Sequence, residues 1–171
     1  MKRLFTGMLF SIIGLAFVLS CGQKMTAEQL RTQALDFESN EYFEDAINAY
    51  EKLVKNYPEN QFAAEALYKL GILYANNLKK FDESVQAYRK LLEKYPDSEW
   101  AVQSQFMIGY RYANDLKDLD QAKVEYEKFL EKYPDHELAA SVKWELGHLG
   151  QDISDIEFLS QDAPGDSGKV K

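Results

Sequence analysis

Three Tyr-Pro pairs, Tyr57–Pro58, Tyr95–Pro96 and Tyr133–Pro134, stand 38 residues apart. Laying residues 58–95 over 96–133 without gaps gives 15 identities in 38, among them Gly71/Gly109, Tyr74/Tyr112, Ala75/Ala113, Asn76/Asn114 and Tyr88/Tyr126. A fixed period of this size belongs to stacked supersecondary units, none of which can bury its apolar face alone. The repeat therefore dictates an extended array, and directs attention to surfaces rather than to a catalytic cleft.

Within each period the apolar spacing is helical. The second unit reads as an A helix carrying Ala63, Ala66, Leu67, Leu70 and Tyr74, then a B helix with Val85, Tyr88, Leu91, Leu92 and Tyr95. Asp82 is the expected N-cap of that B helix. The third unit repeats the scheme with Ala101, Ile108 and Tyr112, then Ala122, Tyr126, Phe129 and Leu130. The first has Leu30, Ala34 and Phe37, then Ala46, Tyr50, Leu53 and Val54. Each B helix is expected to end at Tyr-Pro, because proline lacks a donor and restricts the residue before it. Thr26-Ala27-Glu28-Gln29 fits a capping box at the start of the first A helix.

These residues resemble the tetratricopeptide repeat (TPR): a small residue, an aromatic three on, then a small residue, an aromatic and a proline. The matches are Ala34, Phe37, Ala46, Tyr50 and Pro58; then Gly71, Tyr74, Ser84, Tyr88 and Pro96; then Gly109, Tyr112, Ala122, Tyr126 and Pro134. The resemblance implies an all-α, right-handed superhelical array of antiparallel helix hairpins. The period exceeds the family's usual value of about 34, the extra residues falling in the A–B turns and after each proline. The expected units are about 26–58, 59–96 and 97–134, followed by a capping helix over 135–150. A short helix over 153–159 (Ile153, Ile156, Phe158, Leu159) is expected to fold back on that cap. Residues 160–171 have nothing to bury and read as a disordered tail.

The N-terminus supplies the address. Lys2 and Arg3 precede an uncharged run of 17 residues, Leu4–Ser20, and then Cys21, the chain's one cysteine. A basic start before a short apolar stretch reads as a secretory signal. An uncleaved membrane anchor is the alternative, although the run lies at the short edge of a bilayer span. Val18-Leu19-Ser20-Cys21-Gly22 resembles a bacterial lipoprotein signal. That resemblance implies cleavage after Ser20, with a diacylglyceryl thioether and an N-acyl chain such as palmitate on Cys21. Several acyl chains hold a protein to a membrane, where one alone binds marginally. Gly22, in place of Asp, implies the periplasmic face of the outer membrane rather than the inner membrane. A single cysteine leaves no internal disulfide.

The formal charge is −8, and two units more negative once Lys2 and Arg3 are removed. Such a chain lacks the basic footprint of a nucleic-acid binder. His136 and His148, the only histidines, belong to no metal-spaced cluster. The acidic residues are expected on solvated helix faces beside lysines. Gly71, Gly109 and Gly147 read as packing glycines rather than a phosphate loop. No catalytic constellation assembles, so the chain reads as a non-enzyme with no cofactor beyond the lipid.

The residues opposite the A-helix core stripe are Tyr68, Ile72 and Asn76, then Phe106, Tyr110 and Asn114, then Trp144, His148 and Asp152. In TPR arrays this face lines a concave, peptide-binding groove, which the resemblance extends to these positions. Two alternatives stay open: Tyr68, Phe106 and Trp144 pack between successive A helices, and Asn76 and Asn114 cap helix ends. Arg31 and Lys69 are the nearest cations for a partner's carboxylate.

The lengthened repeat resembles periplasmic TPR lipoproteins of the BamD type, with the YbgF/CpoB type second. The first implies a scaffold that holds the β-barrel assembly machine or unfolded outer-membrane proteins. The second implies cell-envelope coordination with the Tol–Pal system. An envelope enzyme or a solute-binding lipoprotein is the reading from another class.

Overall fold

The computed structural model describes residues 24–151. The signal segment, Cys21, Asp152, the 153–159 helix and the tail lie outside the described residues. Within them the fold is helical: α1 (Ala27–Ser39), α2 (Phe43–Asn56), α3 (Phe62–Asn76), α4 (Phe81–Lys94), α5 (Ala101–Arg111), a π-helical extension of α5 (Tyr112–Leu116), α6 (Leu119–Lys132) and α7 (Ala139–Gly147). Each helix packs on the next in sequence, and only α1 and α3 make a substantial contact beyond that order. The helices thus progress sideways as a row of hairpins, α1/α2, α3/α4 and α5/α6, with α7 at the end.

Local chemistry sets the ends. The Thr26 hydroxyl accepts from Gln29 N (3.2 Å), and the Gln29 side chain accepts from Thr26 N (2.9 Å), the expected capping box. Asp82 does not cap α4: Lys80 holds the N-cap place, two residues earlier, and the helix begins at Phe81, which puts Asp82 in the first turn. There its negative charge still suits the free backbone donors. Each B helix stops before Tyr-Pro, at Asn56, Lys94 and Lys132.

One fully buried tyrosine per B helix, Tyr50, Tyr88 and Tyr126, forms the core of each hairpin. Burying such a ring contributes on the order of 2–3 kcal/mol. A Cβ built on Gly71 would lie 2.4 Å from the Tyr88 ring, and one on Gly109 would lie 2.6 Å from Tyr126. Glycine there permits the close helix approach that the ring fills. The Ser84 hydroxyl adds a bond to the Gly71 carbonyl (2.6 Å) at the same crossing.

Two of the three Tyr-Pro tyrosines tie the chain back on itself, while the buried Tyr133 hydroxyl finds no partner among the described residues. Tyr95 donates to the Pro58 carbonyl (2.6 Å), one unit back, and Tyr57 donates to the Met25 carbonyl (2.6 Å). Val85, Tyr88 and Ile108 carry the apolar core from the second unit into the third.

Two charged residues depart from the expectation of solvated charge. Glu125 is 1% exposed. It accepts from Arg89 (2.8 Å), Lys128 (3.0 Å) and Gln105 (2.9 Å). Burial works against its charged form, but the bonds from Gln105 and Lys128 and the charge of Arg89 outweigh it, holding its pKa below the ordinary carboxylate value. Arg111 is buried too, paired with Asp115 at 2.8 Å.

Candidate functional site

The A helices α3, α5 and α7 place the eight described groove candidates in three different settings. Tyr68 is half-buried, stacked on Trp100 at the start of α5 (4.9 Å, 29°) and 5.9 Å from the Tyr88 ring. Phe106 is likewise half-buried, 6.2 Å from Tyr126. Tyr68 therefore packs against the start of the next A helix, the alternative left open above, whereas Phe106 packs on α6 of its own hairpin. Ile72 is half-buried and Asn76 exposed, and neither lines the groove described next.

Tyr110, Asn114, Trp144 and His148 do come together. They line an open groove of about 530 Å³ between the end of α5 and α7, with Lys117 and Glu145 supplying charge. Tyr110 is held by Phe106 on one side (6.2 Å) and by the Arg111 guanidinium over its ring (5.3 Å). Arg111 is in turn fixed by Asp115. The π-helical extension widens the backbone after Arg111 and carries Asn114, whose amide donates to the Tyr110 carbonyl (3.1 Å). Lys117 closes the extension in the left-handed conformation, φ 58°.

On the opposite wall, Trp144 is 47% exposed and stacks on His148 at 4.5 Å and 21°. The His148 Nδ1 lies 2.8 Å from the Trp144 carbonyl, which fixes the imidazole against its own helix. Burial raises the Glu145 carboxyl above its ordinary pKa, an effect that His148 partly offsets. The groove thus joins flat aromatic area with an amide, an imidazole, a cation and a carboxylate. That combination suits peptide recognition, in which aromatics supply contact area and polar groups pair with backbone.

Arg31 and Lys69 are not available to a partner's carboxylate. Arg31 makes a bidentate pair with Glu65 (2.6 and 2.8 Å), and Lys69 pairs with Glu38 (3.2 Å). Both tie α1 to α3. Gly147 is not a packing glycine of the expected kind among the described residues, where a Cβ would meet nothing within 4 Å. Among the described residues no cluster of three or more His, Cys, Asp or Glu is placed to hold a metal ion, and no helix is long and apolar enough to cross a membrane.

Residues 31–99 match the family model described as tetratricopeptide repeat. That stretch carries tetratricopeptide repeats. Residues 73–149 match the family described as outer membrane lipoprotein (YfiO), a stretch that contains Tyr110, Asn114, Trp144 and His148. None of the curated proteins matches the chain. Among solved structures it is similar to the first TPR of Spaghetti (RPAP3) bound to an HSP90 peptide, with 20% identity over 75% of this chain and 94% of that one, TM-score 0.56. It is also similar to the TPR2B domain of yeast Sti1 in a pHsp70 complex, with 20% identity, 71% and 93% coverage, and TM-score 0.47. At this identity the first likeness bears on the fold, an all-helical TPR array.

Proposed function

We propose that the chain is a lipid-anchored scaffold of the cell envelope whose TPR groove holds a segment of a partner protein. The observation that carries this is the convergence of Tyr110, Asn114, Trp144 and His148, from two A helices and a π turn, on one open groove. An open channel flanked by aromatics fits an extended or helical peptide better than an enclosed small molecule. The match of residues 73–149 to an outer-membrane lipoprotein family supports an outer-membrane address, with Cys21 as the acylated residue and the fold facing the periplasm. Within that setting the partner is the β-barrel assembly machinery or its unfolded outer-membrane substrates, as the BamD-type resemblance implies. No catalytic step is assigned to the groove.

Pull-down from envelope extracts with the lipidated chain and a Tyr110→Ala/His148→Ala variant tests the groove. The unaltered chain is expected to enrich outer-membrane assembly components that the variant loses. Identical partner sets would remove the groove from the function. The anchor is tested separately: Cys21→Ser is expected to abolish acylation by mass spectrometry and release the protein from membranes. Membrane retention in that variant would contradict it.

A further inference from the structure

The spaces between successive B helices, α2 with α4 and α4 with α6, are filled differently. Between α2 and α4 lies an open groove of about 630 Å³, floored by Leu67, Leu70 and Tyr74 of α3 and by Ala87. One period on, between α4 and α6, the chain's own side chains take the corresponding place. There the Glu125 carboxylate of α6 accepts from Arg89 of α4, Gln105 of α5 and Lys128 of its own helix.

The repeat accounts for the difference. It aligns Glu51 with Arg89, Leu67 with Gln105, Ala87 with Glu125 and Lys90 with Lys128. Ala87 brings no carboxylate and Leu67 no amide, while Glu51 sets an anion where Arg89 sets a cation. Lys90 therefore lacks the acid that Lys128 has. Among the described residues Lys55, Glu83, Lys90 and Lys94 are exposed and form no ion pair. Glu51 accepts from the Tyr74 hydroxyl (2.6 Å).

The free charges are sorted along the groove. Glu51 and Glu83 lie by Tyr74 at one end, and Lys55, Lys90 and Lys94 lie toward the C-terminal ends of α2 and α4. Glu83 and Lys90 stand about 10 Å apart along α4. Between the two signs the floor is apolar. Lys55 and Lys94 also suit the dipoles of their own helices, which explains their sign but not the open apolar floor beside Lys90.

We propose that the α2–α4 groove docks an amphipathic helix of a partner protein. Its acidic first turn faces Lys55, Lys90 and Lys94, and its basic last turn faces Glu51 and Glu83. Its apolar stripe lies on Leu67, Leu70 and Ala87. One of its carboxylates takes beside Lys90 the place that Glu125 takes beside Lys128. A helix with acid first and base last is also the kind that its own dipole favours. This surface shares no residue with the groove of Tyr110 and His148, and the proposal stands without that reading.

Fluorescence anisotropy with the full chain and three labelled helical peptides, each as long as α2 and with the same apolar stripe, tests it. One peptide has glutamates in its first turn and lysines in its last; the others have glutamates at both ends or lysines at both. The mixed peptide is expected to bind saturably, at least about tenfold tighter than either other, and to weaken as salt rises. Glu51→Arg/Ala87→Glu, which builds the third unit's pair into the second, should weaken that binding by at least about tenfold. Lys90→Glu/Lys94→Glu, on the exposed rim, should instead prefer the peptide with lysines at both ends. Circular dichroism verifies that both variants are folded. Tyr110→Ala/His148→Ala should bind the mixed peptide like the unaltered chain, which separates this surface from the other groove. No saturable binding, equal binding of the three peptides, or an unchanged preference in Lys90→Glu/Lys94→Glu would overturn the proposal. So would a doubled mass that this variant returns to a single copy, which would assign the groove to a second chain. Binding seen only in a chain ended after Gln151 would overturn it too, by assigning the groove to the chain's own C-terminal segment.

Discussion

Gly71 and Gly147 hold the same place in the repeat, two units apart, yet one lies against a tyrosine ring and the other meets no neighbour among the described residues. The aromatic pairs differ in the same way. Tyr68 and Phe106 are half-buried in their hairpins, whereas Trp144, their counterpart on α7, is 47% exposed. A repeat motif therefore records what a position can do when its neighbour is present. In the middle of the array the neighbour is supplied and the motif becomes core. On α7 the same letters become surface.

The largest effect expected from this contrast is on the rings. Tyr88→Ala should lower unfolding stability by about 3–5 kcal/mol, against less than about 1 kcal/mol for Trp144→Ala, both read from urea denaturation. Comparable losses would mean that Trp144 is structurally embedded after all. Next come the glycines. Gly71→Ala and Gly109→Ala force a methyl into a ring and should cost about 1–3 kcal/mol. Gly147→Ala should be neutral, or stabilising by up to about 1 kcal/mol through helix propensity. A destabilised Gly147→Ala would break the comparison at its root.

A third test exploits the Glu125 cluster between the second and third units. Its folded pKa is depressed, so its contribution is present above the unfolded carboxylate pKa and is lost as pH falls through the folded value. Glu125→Gln should cost about 1–3 kcal/mol at pH 7, and the gap to the unaltered chain should close in acid. A gap independent of pH would show that shape, not charge, matters there. Smallest of all, Arg31→Ala and Glu65→Ala should couple by about 1 kcal/mol or less in a double-mutant cycle, because Arg31 remains partly exposed.

Much of the fold was legible because a period and its small and aromatic positions constrain one another. The Tyr-Pro ends, the Thr26 box and the Gly–Tyr crossings all follow from local chemistry. What escaped depended on three-dimensional neighbours. Nothing in the residue type of Lys79 or Lys117 announces a left-handed turn, and although the repeat aligns Glu125 with the buried Ala87 and Ala49, its partners Gln105 and Arg89 come from other helices. The groove was half legible. The face holding Tyr110, Asn114, Trp144 and His148 was read from the repeat, but the closure of Tyr68 by Trp100 was not, because Trp100 occupies the inter-unit segment, where the pattern is silent. The π turn carrying Asn114 left no mark in the sequence, since Tyr112–Ala113–Asn114 repeats Tyr74–Ala75–Asn76, which stays α-helical.

The bond from the Tyr57 hydroxyl to the Met25 carbonyl has a mechanical side. Tension on the chain ahead of residue 25 is shared between the first turn of α1 and the far end of α2, so the hairpin is loaded as a unit instead of being peeled open from one edge. Tyr57→Phe should let that first turn yield at lower force in a single-molecule pulling measurement.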